Sequence, residues 1–346
     1  MSAAGLHTGG RGITVAPLFD PWAYRRTRAR YLVSRLLGAT PAPLYDLAFV
    51  VPEPARGWIL EAICRETAAR FGGKTAFHYA IADPPPARAY FLAHYGLLPK
   101  FLKLNTAAWG AKLLVHYTHP RELTVGEEEL VYAFNRATRV IAPNSAAVGL
   151  LRALGVQERR LAWIPAAADP ALFEPHRRGL GAVGFSTAYY ERKRPALVLE
   201  LARRLPQRKF IMLGRRWREW PRFAELSELP NFEYVEAPYS EYPRHYARMD
   251  VFVSPGVLEG GPIPLIEAMM CNAAPVASAT GFAPDIIRHG DNGFLFDPQA
   301  PAERVAELIE QAYRLGADVR RTVEHLSWEN YAARLRAMLG VADPVL

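Results

Sequence analysis

The sequence predicts an α/β protein made of two doubly wound domains. Short apolar, β-prone runs alternate with helical segments along the whole chain, a pattern typical of parallel sheets covered by helices on both faces. The chain has 346 residues, which is long enough for two domains with a core each. A polar segment with two glycines, HRRGLG at residues 176–181, divides the alternation into two halves and is a plausible linker.

The first half contains five predicted strands. They cover Ile13–Leu18, Leu47–Pro52, Thr75–Ile81, Leu113–His116 and Arg139–Ala142. Helices are expected after the loop that begins at Phe19, over Ala62–Phe71, over Glu127–Arg136 and behind the capping residues Asn144 and Ser145. Pro84–Pro86 is interpreted as a break in regular structure.

The second half repeats the alternation and is also expected to be Rossmann-like. Its predicted strands are Ala182–Phe185, Phe210–Leu213, Phe232–Val235, Val251–Val253, Pro275–Ala277 and Phe294–Phe296. Its predicted helices are Arg194–Arg204, Tyr242–Arg248, Ile263–Cys271, Ala302–Leu315 and Trp328–Leu339.

Composition narrows the functional classes. Half of the residues are hydrophobic and 22% are charged, and no apolar run reaches the roughly 18–20 residues of a membrane span. Because the first residues lack the apolar core of a signal peptide, a cytoplasmic location is expected. Cys64 and Cys271 are expected to be buried and reduced. The net charge of +8 suits phosphate or anionic-surface recognition, but no nucleic-acid-binding motif accompanies it.

The stretch from Val251 to Pro298 carries most of the chemistry. A short strand is followed by a Gly-Pro loop and a helix, which places the backbone N–H groups of Gly260, Gly261 and Ile263, around Pro262, at a helix start that attracts anions. The two carboxylates Glu259 and Glu267 frame this loop. A carboxylate beside a phosphate site is expected to bind something neutral, such as sugar hydroxyls.

This stretch resembles one protein family. The sequence EGGPIPLIEAM, followed by TGFAPDIIRHGDNGFLF, is similar to the donor-binding half of retaining glycosyltransferases of the GT-B fold, family 4 (glycosyl transferases group 1). The resemblance implies that Glu259 lies against the transferred sugar and Glu267 holds the ribose hydroxyls. It also implies that the amides from Gly260 to Ile263, including the turn at Pro262, hold the diphosphate.

The resemblance implies a domain organisation as well. Residues 1–170 are expected to form an acceptor-side domain and residues 171–325 a nucleotide-sugar-binding domain, facing each other across a cleft. Residues 326–346 are expected to contain a last helix that packs back on the first domain.

Two further donor contacts are expected in the second domain. The family places a lysine where this chain has Lys193, a few residues beyond an arginine, and both clamp the diphosphate. Here the arginine position holds Phe185, Ser186 or Thr187. Two alternatives remain open: Arg192 or Arg194 replaces the missing arginine, or the leaving group is stabilised less. Ser186 and Arg192 are therefore candidate donor-binding residues beside Lys193.

Two histidines follow a predicted strand of the first domain. The carboxyl end of a parallel strand is where ligands bind in such sheets. In the resembled family a histidine at this place reaches the donor sugar across the cleft. His116 and His119 are both candidates, and the sequence does not choose between them.

The first loop departs from the family. Many relatives have a Gly-Gly turn after the first strand, but here Asp20, Pro21 and Trp22 lead into four arginines within six residues. We expect Arg25 and Arg26 to contact a phosphate of the acceptor or an anionic membrane surface. The second outcome would place the protein peripherally at the inner face of the membrane.

The resemblance implies a retaining hexosyltransferase. It would move a hexose from a nucleotide-diphosphate sugar to the hydroxyl of a glycan, a lipid-linked acceptor or a small molecule. No metal is expected, because the chain lacks an Asp-x-Asp motif after an apolar strand. No cofactor is expected beyond the nucleotide-diphosphate sugar, which is a co-substrate. The alternative is a catalytically silent nucleotide-sugar-binding subunit of a glycosylation complex. Nucleic acid is not an expected partner.

Overall fold

The computed structural model describes residues 19–118, 125–179 and 181–341. Within these residues the chain forms two six-stranded sheets, and every strand pair in them is parallel. The fold class expected from the alternation is therefore confirmed. The predicted strand Ile13–Leu18 and the candidate residue His119 lie outside the described residues.

The first sheet has the strand order β2-β1-β3-β4-β5-β6. Its strands are β1 (Tyr45–Val50), β2 (Thr75–His78), β3 (Ala87–Leu92), β4 (Lys112–His116), β5 (Arg139–Ala142) and β6 (Leu161–Trp163). The central strands are almost entirely buried, because helices cover both faces of a parallel sheet and leave no solvent face.

The strand β3 was not predicted from the sequence. Three prolines stand immediately before it, and the carbonyl of Pro86 accepts hydrogen bonds from the amides of Leu44 (2.8 Å) and Tyr45 (3.2 Å). Proline is tolerated at a strand start because no ladder hydrogen bond needs its missing N–H. The following run AYFLA is apolar, and such a run has no period that separates a buried strand from a buried helix.

The second sheet has the order β12-β11-β10-β7-β8-β9. Its strands are β7 (Ala182–Ser186), β8 (Phe210–Leu213), β9 (Phe232–Val235), β10 (Met249–Ser254), β11 (Ala274–Ser278) and β12 (Phe294–Phe296). Each covers the strand expected at that place, with changes of at most two residues at an end.

Helices cover both sheets. In the first half they are α1 (Trp22–Leu36), α2 (Ile59–Arg70), α3 (Leu98–Leu104), α4 (Glu127–Phe134) and α5 (Ser145–Ala153). In the second half they are α6 (Pro195–Arg204), α7 (Phe223–Ser227), α8 (Tyr242–Tyr246), α9 (Ile263–Met270), α10 (Ala283–Ile286), α11 (Ala302–Tyr313) and α12 (Trp328–Leu339). α6 and α11 pack on one face of the second sheet, and α8 and α9 on the other.

The last helix, α12, packs against the first half of the chain. Trp328, Tyr331 and Leu335 belong to the apolar cluster that contains strand β1 and helix α2. Arg336, also on α12, donates a 2.9 Å hydrogen bond to the carbonyl of Arg70 at the end of α2. These contacts join the end of the chain to the first half.

Candidate active site

The strand order of the second sheet creates a crevice at its carboxyl edge. Strand β7 lies between β10 and β8. The connection after β7 runs towards β8 on one side, and the connection after β10 runs towards β11 on the other side. The two connections therefore diverge from neighbouring strands. Ligands of doubly wound sheets bind at such switch points. Lys193 lies on the first connection and Glu259 on the second, which explains why residues 66 positions apart can meet.

An ion cluster occupies this crevice. The Nζ of Lys193 donates to Oε1 of Glu259, and Nη1 of Arg192 donates to Oε2 of the same carboxylate at 3.2 Å. The Glu259 and Lys193 side chains are only 7% and 13% exposed, so the lysine is not a solvated surface residue. The backbone joins the two connections as well, because the amide of Val257 donates to the carbonyl of Arg192 at 2.9 Å.

Burial has the largest influence on the pKa of Lys193. Desolvation lowers the pKa of Lys193, and the neighbouring Glu259 carboxylate opposes that shift. A bound diphosphate would add negative charge and favour the ammonium form in the same way. The crevice is therefore suited to an anion at the Lys193 ammonium.

Arg192, not Arg194, lies where an arginine can help Lys193. Arg194 has a positive φ of 54°, and its Nη2 donates to the carbonyl of Ala300 at 2.8 Å, away from Glu259. Ser186 is buried at the end of β7, and its hydroxyl opposes the rise in the pKa of the Tyr246 phenol.

Two glycines allow the Gly-Pro loop to fold closely. A Cβ on Gly256 would lie 2.1 Å from Oε1 of Glu259, and a Cβ on Gly261 would lie 2.7 Å from the ring of Phe282. Helix α9 begins at Ile263, directly after Pro262. Among the described residues no hydrogen-bond acceptor is found for the amides of Gly260, Gly261 and Ile263. These amides can therefore receive the oxygens of an anion.

Glu267 lies one turn inside α9 and is almost completely buried, with 2% exposure. Its Oε1 accepts a 2.6 Å hydrogen bond from the Tyr239 hydroxyl, and its Oε2 accepts a 2.8 Å bond from the Tyr246 hydroxyl. Burial raises the pKa of Glu267 to about 7, although the two phenols oppose the rise. Sequence reasoning did not identify these tyrosines, because they lie on a different connection, after β9.

The two halves touch directly beside the Gly-Pro loop. Nδ2 of Asn144, which follows β5, donates a 2.7 Å bond to the carbonyl of Gly260. The Ser145 amide donates to Oδ2 of Asp285 at 2.9 Å, and Ile263 packs in the apolar cluster of the first sheet. The carboxyl edge of the first sheet therefore borders the crevice of the second.

His116 lies on this bordering edge. It ends β4 and is in register with Ile141 on β5, so it is one strand away from the contact made by Asn144. Burial lowers the pKa of His116 to about 4, which keeps the imidazole neutral at physiological pH. His94 follows β3 at the same edge, and its Nδ1 accepts a 3.0 Å bond from the Gly96 amide. His94 was not predicted as a site residue, because the sequence did not predict strand β3.

Arg25 and Arg26 lie on helix α1 of the first half. Both are exposed on α1, and the guanidinium of Arg25 lies 5.1 Å from the ring centre of Trp22.

The described residues contain no group of three His, Cys, Asp or Glu side chains arranged to hold a metal. In that same part of the chain, no helix combines the length and apolarity needed to cross a membrane. Cys64 and Cys271 are buried and free, as expected.

Known proteins are similar to the second half of the chain. Residues 178–326 match the family described as glycosyl transferases group 1. Among curated proteins, the sucrose synthase of Acidithiobacillus caldus is 38% identical over 96 residues, which are 25% of this chain and 12% of that protein. Sucrose synthase 4 of Oryza sativa is 31% identical over 101 residues, again 12% of its length. The chain thus spans about an eighth of these relatives.

Solved structures cover both halves. Alr3699/HepE of Anabaena, solved in complex with UDP, superposes with a TM-score of 0.69 and 14% identity, over 85% of this chain and 99% of that one. Sucrose-phosphate synthase of Thermosynechococcus elongatus gives 0.62 and 18% over 85% and 98%. At these identities the likeness establishes the fold. The chain therefore has the GT-B fold, and its residues 178–326 are similar to the family described as glycosyl transferases group 1.

Proposed function

We propose that this protein is a glycosyltransferase that takes a hexose from a UDP-sugar and transfers it to an acceptor hydroxyl with retained anomeric configuration. The observation that carries the proposal is the pairing of Glu259 with Lys193 and Arg192 at the switch-point crevice, beside the unpaired loop amides. UDP is chosen because Alr3699/HepE was solved with UDP, with UDP and glucose, and with UDP-glucose.

The roles follow from the charges. The diphosphate would lie on the amides of Gly260, Gly261 and Ile263 and would take Lys193 and Arg192 as counter-charges. Glu259, released from these cations, would accept hydrogen bonds from the sugar hydroxyls, and Glu267 would accept them from the ribose. Ser186 would line the floor between β7 and the diphosphate. His116 would reach the sugar from the first half.

The chemistry proposed is transfer on one face of the sugar. The bond between the anomeric carbon and the diphosphate oxygen breaks, and the leaving diphosphate takes the proton of the acceptor hydroxyl as the new glycosidic bond forms. Lys193 and the loop amides stabilise the negative charge that develops on the leaving oxygen, which is the largest catalytic contribution in sites of this kind. No metal and no cofactor takes part in this proposal.

A donor screen tests the proposal. Wild type would be incubated with UDP-, GDP- and ADP-sugars, with thermal shift and release of free sugar as readouts, since a ligand that binds the native state raises the melting temperature. We expect a shift with UDP-sugars, slow sugar release that EDTA leaves unchanged, and an α-configured product from an α-donor by NMR.

Two variants sharpen the screen. Glu259→Gln keeps the shape of the side chain and should lose sugar release while it still binds UDP. Glu303→Gln, an exposed glutamate paired with Arg204, is the matched control and should behave as wild type. A thermal shift without turnover by any donor would instead favour a catalytically silent nucleotide-sugar-binding subunit. No shift with any nucleotide would refute the proposal.

A further inference from the structure

Helix α1 presents apolar side chains on the side that faces away from the protein. Trp22 is 63% exposed, Val33 54% and Leu36 86%. Spacings of eleven and three residues place these three, together with Ala29, on one stripe of a helix that turns about 100° per residue. Large apolar side chains that cluster on a surface indicate an interaction site, whereas scattered ones do not.

The exposed apolar residues are concentrated in this part of the chain. Among the described residues, six of the sixteen exposed large hydrophobic side chains fall between positions 22 and 44. Beyond Trp22, Val33 and Leu36 they are Leu32, Leu37 and Leu44. The stripe therefore continues from α1 into the loop that precedes β1.

Arginines border the stripe on both sides. At 100° per residue, Arg26 and Arg30 fall on one side of it and Arg28 on the other, while Arg35 falls near the position of Tyr24 at the far end of the helix and Arg25 stacks over Trp22. No aspartate or glutamate occurs from residue 22 to residue 44. Within the described residues none of these five arginines forms an ion pair, so their charges are available to a partner.

The inner side of α1 is fixed, so the helix cannot rotate to hide the stripe. The Tyr24 hydroxyl donates a 2.6 Å bond to the buried carboxylate of Glu129 on α4. The Thr27 hydroxyl donates a 2.6 Å bond to the carbonyl of Lys103 at the end of α3. The helix is thus held with its apolar and basic side outward.

We propose that the outer face of α1 is a peripheral binding surface for a bilayer that contains anionic lipids. A helix with an apolar stripe, flanking arginines and an exposed tryptophan has the chemistry of an interfacial helix, which lies in the membrane plane with its apolar side chains among the acyl chains. The arginines meet the lipid phosphates, and their stems extend along the apolar stripe. A protein partner would not require five unpaired cations with no intervening acid. This surface is separate from the donor crevice.

Vesicle sedimentation tests the proposal with the full-length chain. We expect wild type to bind phosphatidylcholine vesicles that contain phosphatidylglycerol, to bind pure phosphatidylcholine weakly, and to dissociate as salt is raised, since screening weakens surface attraction. Each arginine near an anionic surface contributes about fivefold to binding. Arg25→Glu/Arg28→Glu should therefore reduce binding more than tenfold. Val33→Asp/Leu36→Asp should do the same through the lost apolar contacts.

Matched variants carry the same changes elsewhere. Arg159→Glu/Arg321→Glu reverses two other exposed arginines, and Leu150→Asp/Leu172→Asp places charges on other exposed leucines; both should bind like wild type. UDP-induced thermal shift should be unchanged in Val33→Asp/Leu36→Asp, which shows that the variant is folded. Absence of wild-type binding at low salt, equal loss in the matched variants, or a concentration-dependent dimer that Val33→Asp/Leu36→Asp abolishes would each overturn the proposal.

Discussion

The carboxyl edges of the two sheets border the same crevice but are built differently. On the second sheet the edge is charged, with Glu259 held by Lys193 and Arg192. On the first sheet, the described residues of the edge near the Gly-Pro loop include two neutral groups, the amide of Asn144 and the imidazole of His116. Burial keeps His116 unprotonated by lowering its pKa to about 4 and keeps Tyr117 protonated by raising its pKa to about 12.

This difference predicts that the two edges bind different parts of the donor. A diphosphate requires counter-charges that are already in place, because unpaired buried charges are costly. Glu259 is the partner of those cations in the structure. A sugar needs directional hydrogen bonds, which neutral imidazole, amide and phenol groups provide at lower desolvation cost. We therefore expect substitutions on the charged edge to have larger effects than those on the neutral edge.

The largest effect is expected for Lys193→Met. Removing the cation from the leaving-group site should lower turnover of a UDP-sugar by about 100-fold or more, with a smaller loss of UDP affinity. Steady-state kinetics and calorimetry would measure the two. Lys209→Met, at an exposed lysine before β8, serves as the control and should leave both unchanged. Unaltered turnover in Lys193→Met would mean that the charged edge does not stabilise the leaving group.

Glu267→Gln should change the pH dependence of stability. Burial raises the folded pKa from 4.5 to about 7, so between these values the folded protein keeps a proton that the unfolded chain has released. This lowers the free energy of unfolding of wild type as pH rises through that window, by about 3 kcal/mol in total above it. Urea unfolding should find the Glu267→Gln variant more stable relative to wild type at pH 8 than at pH 5. An equal difference at both pH values would contradict the buried, proton-binding Glu267.

A moderate effect is expected on the neutral edge. His116→Ala should lower turnover about tenfold, the value of a lost hydrogen bond, while UDP affinity stays as in wild type, because the imidazole is expected to contact the sugar and not the nucleotide. His94→Ala tests the second histidine of the edge in the same assay. A fall in UDP affinity in His116→Ala would contradict the expectation that this edge contacts only the sugar.

The smallest effect is expected for Tyr239→Phe. The Tyr239 hydroxyl donates a hydrogen bond to Oε1 of Glu267, an oxygen that a ribose hydroxyl would also need. Removing this competing donor should raise UDP affinity about threefold. Tyr242→Phe, whose ring packs beside that of Tyr239, is the matched control for the aromatic packing. Weaker UDP binding in Tyr239→Phe would instead make this phenol part of the nucleotide site.

Much of the fold was predictable because its signals are local. The strands Phe210–Leu213, Phe232–Val235 and Phe294–Phe296 lie where the sequence predicts them, since each is a short β-prone run between turn residues. The strand β3 was missed because its apolar run has no period. With β3 the sequence would also have indicated His94, as a polar residue directly after a buried strand.

The candidate site was only partly predictable. The order of Glu259, the glycines and Glu267 indicated an anion-binding loop with two carboxylates, because these residues are neighbours in the chain. The missing arginine left Arg192 and Arg194 as alternatives. The structure separates them, since the positive φ of Arg194 turns its side chain towards Ala300 while Arg192 reaches Glu259.

The sequence by itself determined the alternation of strands and helices, the Gly-Pro loop before α9 and the arginine-rich first helix, because each of these depends on residues within about one element. Only the tertiary structure decided which distant groups meet: Lys193 with Glu259, Tyr239 and Tyr246 with Glu267, and Asn144 with Gly260. It also decided which side of α1 is buried. The physical reason is that strand order and helix packing set these contacts, and neither is encoded in local periodicity.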